Sequence, residues 1–264
     1  MTLPQQILVT GLRLVDAELS DGTSGNISVR CDDGATILIT PSSRNYHLLA
    51  ERDLVRVHLG SGSAEGRWPP SSEWRLHARI YEARPEVNAV IHHHGTWSSA
   101  VAVARKTIPV LIDEAADIGP IPTAPYAPSG SEELAEVASE QLTRQSNAVL
   151  LANHGAVVVG RDLREALRRA LEVERLAKIY CVAELLGGAN SLDEAAIARS
   201  RRFFDKYRTR QHEMEEVPAV LLSRIAGTVS VADLVAYSFQ AGTTFASLLQ
   251  DLILQKLHKG RRAA

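Results

Sequence analysis

Cysteine is almost missing from this sequence: its 264 residues contain two, Cys31 and Cys181, far apart. Two thiols so placed make no disulfide framework, and the expected setting is a reducing cytoplasm. Long hydrophobic runs are missing as well, and no stretch approaches the roughly 18 to 20 apolar residues of a membrane span. The opening MTLPQQILVTGLRLVD lacks a basic segment followed by an apolar one, so it does not read as a secretory signal. Neither sign of charge prevails, with 29 Lys and Arg against 31 Asp and Glu and a net charge of −2. That balance gives no overall attraction to nucleic acid or to an anionic membrane. What remains is an ordinary globular composition, 45% hydrophobic and 23% charged, at a length that fits one or two domains.

Helical and strand-like segments alternate along the chain. Residues 4–20 set Ile7, Leu8, Leu12, Val15 and Leu19 near helical spacing and stop at Ser20-Asp21-Gly22-Thr23-Ser24-Gly25, a dense turn signal. Asn26–Arg30 and Ala35–Thr40 read as a hairpin around Asp32-Asp33-Gly34. Asp53–Leu59, Val87–His92 and Ile108–Ile112 are strand-like. Ser71–Arg84 reads as a helix ending before Pro85, Trp97–Ala104 as a short helix, and Ser131–Arg144 as a helix with Ser129 or Ser131 as its cap. Two apolar strands, Ala148–Ala152 and Ala156–Val159, flank Asn153-His154-Gly155. The longest helix is Leu163–Leu186, opened by Asp162 and Glu165 in a capping-box pattern and stopped by Gly187-Gly188. Its apolar face comprises Leu163, Ala166, Leu167, Ala170, Leu171, Leu176, Ile179 and Tyr180. Beyond about Glu213 charge thins out until Lys259-Gly260-Arg261-Arg262, a solvated basic end. Residues 1–212 are therefore expected to form one domain and 213–264 a helical extension.

The chemistry gathers at a few points. His92, His93 and His94 are consecutive and follow the apolar Ala89-Val90-Ile91. On a continuing strand His92 and His94 point one way and His93 the other. Two imidazoles at i and i+2 converge as a metal chelate, although a strand end with histidines facing water fits the same letters. His154, held at a tight break by Gly155, offers a third imidazole; a turn residue bonded to nearby backbone is its plain alternative. Three histidines with one open position is the pattern of a catalytic zinc site. Ser71-Ser72-Glu73 stands at the start of a helix, where free N–H groups and a partial positive charge suit a phosphate and Glu73 could serve as a base. Taken alone, Ser71 or Ser72 as N-cap with Glu73 in the first turn is the simpler reading. Gly25-Asn26-Ile27-Ser28 and Thr40-Pro41-Ser42-Ser43 offer further N–H and hydroxyl donors to an anion, or plain turns.

In this order the pieces resemble the class II aldolase/adducin family, and within it the fuculose-phosphate aldolase branch. The matching residues are Gly25-Asn26-Ile27-Ser28, Ile39-Thr40-Pro41-Ser42-Ser43, Ser71-Ser72-Glu73-Trp74-Arg75-Leu76-His77, Val90-Ile91-His92-His93-His94, Asn153-His154-Gly155-Ala156 and Val173-Glu174-Arg175-Leu176-Ala177-Lys178-Ile179-Tyr180. The resemblance covers about residues 5–212. The resemblance implies an α/β fold, a three-layer α/β/α sandwich around a mainly antiparallel sheet, assembled as a homotetramer. It implies a divalent metal, commonly zinc, on His92, His94 and His154, and Glu73 as the catalytic carboxylate that also touches the metal. It implies a phosphorylated sugar whose phosphate lies among Asn26, Ser42, Ser43, Ser71 and Ser72. Epimerases of the family carry Ser-Ser-Asp where this chain has Ser-Ser-Glu.

The chain also departs from that pattern. Family members often have glycine in place of Ser43. Fuculose-phosphate aldolases carry a tyrosine where this chain reads Ile112-Asp113-Glu114, which makes Asp113 and Glu114 candidate substrate contacts. Tyr207 lies near the register of a second, C-terminal tyrosine, with Arg210 beside it. The expected reaction is cleavage of a phosphorylated ketose to dihydroxyacetone phosphate and an aldehyde. Decarboxylation of a phosphorylated 3-oxo sugar acid would use the same metal site. A non-catalytic, adducin-like scaffold is expected to have lost metal ligands, and here all of them stand.

Overall fold

A computed structural model of the chain describes residues 1–204. The expected boundary at 212/213, the helical extension 213–264, Tyr207 and Arg210 lie outside the described residues.

The first helix, α1 (Leu3–Asp16), opens on Thr2, whose hydroxyl accepts from the Gln5 amide while the Gln5 side chain returns a bond to the cap. The first hairpin forms as its turn residues predict. β1 (Asn26–Arg30) and β2 (Thr36–Ile39) pair antiparallel with Arg30 opposite Ile37. Asp33 accepts from the Ala35 and Thr36 amides, and Gly34 sits at φ +67. Chain order then brings β3 (Val55–His58), the two-residue β4 (Ala64–Glu65), α2 (Trp74–Ala83), β5 (Ala89–His93) and α3 (Thr96–Val103). The short β6 (Thr123–Ala124), α4 (Glu132–Gln141), β7 (Ala148–Leu151), β8 (Gly155–Gly160) and α5 (Leu163–Leu185) follow, and residues 194–204 are helical.

Eight strands make one sheet in the order β4-β3-β2-β1-β5-β8-β7-β6. Every pairing is antiparallel except β6 with β7. The two-residue period of the strands sorts their side chains between two cores. Ala89 and Ile91 of β5, with Ala156 and Val158 of β8, pack under α1, α3 and α5. Val90 of β5, with Val157 and Val159 of β8, packs under α2 and α4. The result is the expected α/β/α sandwich around a mainly antiparallel sheet.

Three local expectations need correction. Ile108–Ile112 is not a strand: it makes a single isolated bridge, Ile108 to Ile121, whose partner also lies outside the strands of the sheet. The second helix starts at Trp74 rather than Ser71, and Glu73, not a serine, occupies its N-cap position. On α5, Leu171 leaves the apolar face and is exposed, while Val173 and Ala177 take the buried stripe with Leu176.

Candidate metal centre

β5 sits in the middle of the sheet, and its last residues carry the histidines. His92 continues the face of Val90 toward α2 and α4, and alternation sends His93 to the opposite face. Both rings are fully buried. His92 pairs across the sheet with Asn26 of β1 on one side and Val157 of β8 on the other. Its Nδ1 donates to the Ala156 carbonyl at 3.0 Å. That bond fixes the tautomer and leaves the Nε2 lone pair facing inward, as a metal-binding imidazole requires. His94 lies just past the strand end, tied by its amide to the Leu19 carbonyl, and brings its Nε2 to 2.8 Å from His92 Nε2.

His154 arrives from the β7–β8 turn. Asn153 holds φ +57 there, and its side-chain oxygen accepts from Arg105. The three rings meet edge to face, with centroids 4.7, 4.7 and 5.1 Å apart. One ligating nitrogen from each lies within 4.8 Å of the others, so the group could hold a metal ion. Glycines make the closeness possible. A Cβ on Gly155 would meet the His93 carbonyl, His94 Cδ2 at 2.9 Å and His92 Cε1 at 3.2 Å, and one on Gly25 would meet the His92 carbonyl at 2.5 Å.

Glu73 closes the cluster. Its Oε2 is 3.2 Å from His92 Nε2 and its Oε1 is 3.4 Å from His154 Nε2. The carboxylate makes no capping bond to its own helix. It is instead gripped by two outside donors, the Asn26 amide on Oε2 at 3.0 Å and the Ser129 hydroxyl on Oε1 at 2.9 Å. Burial works against its charge, but the facing His92 and His154 rings and these two donors outweigh that and hold it at about 2. The same burial lowers His92 to about 3, against the pull of Glu73, and lowers His94 below its ordinary value. Neutral imidazoles beside one ionised carboxylate are the protonation states in which these groups bind a divalent cation.

Of the expected site residues, the structure gathers Asn26, Glu73, His92, His94 and His154. Asn26 is a strand residue rather than part of an open loop, and its side chain is already bonded to Glu73 and His77. Ser71 is buried and accepts from the Glu73 amide at 3.3 Å, while Ser72 is exposed just before α2. The 40–43 loop runs beside this segment: Ser42 N–H donates to the Pro69 carbonyl and Ser71 N–H to the Thr40 carbonyl. Ser43 takes φ +54, the left-handed backbone that glycine adopts most readily. Asp113 and Glu114 stand in a short 3-10 turn, and their contacts lie elsewhere. Asp113 accepts from Ser200 at 2.5 Å, and Glu114 lies near Glu172 of α5.

Four further participants appear in the structure, of which the sequence assigns no chemistry to Ser129, His77 or Tyr81 and offers Ser28 only as an anion donor. Ser129, a candidate helix cap by sequence, bonds to Glu73 instead, and His77, Ser28 and Tyr81 form a buried chain behind Asn26. The cue for the chain was the spacing, Glu73, His77 and Tyr81 at every fourth residue beside Asn26 and Ser28 at every second.

The sequence profile of the Class II Aldolase and Adducin N-terminal domain matches residues 5–181. The chain belongs to the class II aldolase and adducin family. An L-fuculose phosphate aldolase from Haemophilus influenzae is 41% identical over 180 residues, covering 67% of this chain and 82% of that protein. A 5-methylthioribulose-1-phosphate/5-deoxyribulose-1-phosphate aldolase from Escherichia coli is 39% identical over 180 residues, covering 67% and 83%. A solved structure of an L-fuculose 1-phosphate aldolase superposes with a TM-score of 0.74 at 33% identity over 77% of this chain and 96% of that one. The protein is thus an enzyme of the aldolase family, a carbon–carbon lyase. No helix among the described residues is long and apolar enough to cross a membrane.

Proposed function

We propose that this class II aldolase cleaves a phosphorylated ketose into dihydroxyacetone phosphate and an aldehyde, using a divalent cation, zinc by preference, on His92, His94 and His154. One observation carries the reading: the Glu73 carboxylate reaches two of the three imidazoles, at 3.2 and 3.4 Å, instead of capping its helix. The donor set fits such an ion, since three imidazole nitrogens and one carboxylate suit zinc. When bound, the cation supplies Lewis-acid stabilisation of the negative charge that carbon–carbon cleavage leaves on the ketose oxygens.

The protein's own residues do the rest. Glu73 moves the proton, taking it from the substrate hydroxyl as the bond breaks and returning it to the carbon left negative. Asn26 and Ser129 hold the carboxylate in place for both halves of that transfer. The start of α2, with Ser71 and Ser72, and the neighbouring Ser42-Ser43 loop offer donors to the phosphate and anchor the carbon chain against the metal. Asn26 has a second amide hydrogen to contribute to that cradle. Supporting context comes from the relatives, which are named for the aldol cleavage of fuculose phosphate, methylthioribulose 1-phosphate and deoxyribulose 1-phosphate. A homotetramer acting in the cytoplasm is part of the proposal.

The test is metal analysis of the purified protein followed by incubation with a panel of phosphorylated ketoses and phosphorylated 3-oxo acids. Bound zinc and release of dihydroxyacetone phosphate are expected, with Glu73→Gln retaining metal and losing about 100-fold or more in kcat. A chain that holds no divalent ion, or one that releases carbon dioxide from 3-oxo acids without forming dihydroxyacetone phosphate, overturns it.

A further inference from the structure

Behind Glu73 and Asn26 runs a row of buried polar groups, His77, Ser28 and Tyr81, that the aldol chemistry does not touch. α2 supplies Glu73, His77 and Tyr81, each four residues after the last, and β1 supplies Asn26 and Ser28, two apart. A helix rises about 6 Å over four residues and a strand about 6.6 Å over two, so the two rows keep step and interleave. The bonds follow that alternation. Asn26 Nδ2 lies 3.0 Å from Glu73 Oε2, and Asn26 Oδ1 meets His77 Nε2. His77 Nδ1 lies 2.6 Å from Ser28 Oγ, which lies 2.9 Å from the Tyr81 hydroxyl. His77 and Ser28 are fully buried, with Asn26 and Tyr81 almost so.

The direction of every bond in this row is set from one end. An ionised carboxylate only accepts, so Asn26 must present its N–H to Glu73. Its carbonyl then faces His77, so Nε2 of His77 must carry a hydrogen. A neutral ring protonated there accepts at Nδ1, so Ser28 donates to it. Ser28 has then used its only hydrogen, and Tyr81 donates to Ser28. Reversing any member would set acceptor against acceptor in a site closed to water and leave buried polar groups unsatisfied.

We propose that His77 is a positioning residue: oriented by Ser28 and Tyr81, it locks the Asn26 amide so that N–H rather than carbonyl faces Glu73. The two ends of an asparagine amide are nearly the same shape, and shape alone does not choose between them. A flipped Asn26 would aim its oxygen at the carboxylate and push Glu73 off the histidines. The proposal rests on Glu73 being the proton carrier of the aldolase reading.

Two measurements test it. The first is independent of turnover: nitrogen-15 NMR of the imidazoles in the full chain, with the His77 signals assigned by their loss in His77→Gln. A neutral ring with its hydrogen on Nε2 is expected, and a hydrogen on Nδ1 overturns the proposal. The second compares His77→Phe, which fills the space without donating, with His77→Gln, which keeps a donor within reach of Asn26. Expected is a 10- to 100-fold fall in kcat for the phenylalanine variant, KM and metal content staying within about twofold, and recovery of most of the loss by glutamine. Full activity in His77→Phe, equal loss in both variants, or loss of metal with normal kcat per bound ion each overturns it. Tyr81→Phe removes only the far hydroxyl and is expected to lower kcat less than His77→Phe; it serves if the His77 variants do not fold, and an unchanged kcat in it overturns the proposal. A wild-type chain that cleaves no phosphorylated ketose would sink the aldolase reading while the tautomer still decides the role of His77.

Discussion

Glu174 and Ser98 are joined twice: one carboxylate oxygen of Glu174 accepts the Ser98 amide at 2.9 Å and the Ser98 hydroxyl at 2.7 Å. The other oxygen takes the Trp97 amide at 2.7 Å. A side chain from the middle of α5 thus caps the start of α3, whose own N-cap, Gly95, has no side chain to do so. Gly95 follows His94 directly, and a Cβ there would strike the Glu174 carboxylate. The carboxylate therefore holds the segment that sets His94. Glu174→Ala should lose about 1 to 3 kcal/mol in urea unfolding, from three bonds and the helix-end charge together. It should also weaken metal binding, read by competition with a chelator. Unchanged stability would show that water takes over the cap.

Ser43 sits at φ +54, a conformation that costs a residue with a side chain about 1 kcal/mol and glycine little. A glycine at this place could keep the same loop shape without that cost. Ser43→Gly should leave the loop in place and change stability by no more than about 1 kcal/mol, since relief of the strained backbone is offset by greater freedom of the unfolded chain. If the hydroxyl binds phosphate, KM for the phosphorylated ketose rises severalfold while kcat holds. Equal KM values for the two proteins would remove the Ser43 side chain from the cradle and leave its backbone N–H.

Much of this arrangement was legible in the letters because it rests on short-range periodicity. The hairpin at Asp33-Gly34, the cap at Asp162 and the two-residue alternation through His92 and His94 are local consequences of residue type. What escaped was tertiary. Ile108–Ile112 has strand composition, but it makes one isolated bridge only. The role of Glu73 beside the histidines was legible, but its place was not: helix starts favour acids in the first turn, whereas here Glu73 is the N-cap residue and its carboxylate turns inward toward His92. Ser129 reaches the same carboxylate from a loop whose course no local rule gives. Asn26 and Ser28 resembled an anion loop because the turn before them is rich in glycine and serine, and only the pairing of β1 with β5 shows them facing α2.

Gly155 is the tightest point of the histidine cluster. Any Cβ there meets the His93 carbonyl and crowds the rings of both His92 and His94, at 3.2 and 2.9 Å. β8 pairs directly with β5 at Ala156 and His93, so the strand cannot draw back without breaking the ladder. Gly155→Ala should therefore displace an imidazole rather than unfold the protein. Expected are at least a tenfold loss of metal affinity and a stability loss of about 1 to 3 kcal/mol, the usual cost of overpacking. Wild-type metal affinity in this variant would mean that the rings relax freely and that their present packing does not set the site.

Acid should unfold this protein early, and the sign follows from its buried rings. Burial lowers His77 to about 4, and His92 and His93 to about 3 each. In the unfolded chain each ring returns to about 6.5. Between about pH 6 and pH 4 the unfolded state therefore binds protons that the folded state refuses, and stability falls as the pH drops through that window. Each ring contributes up to about 1.4 kcal/mol per pH unit, so three together approach about 4 kcal/mol per unit at the steepest point. The depressed Glu73 carboxylate adds to the same slope only below its unfolded value near 4.5. Urea unfolding of the metal-free protein at pH 5, 6, 7 and 8 should show a plateau at the upper two values and a marked decline at pH 5. With zinc bound the decline should be steeper, because protons compete with the ion for the same nitrogens. A flat profile from pH 7 to pH 5 would mean that the rings take up protons within the folded state, which their enclosure in the two cores does not allow.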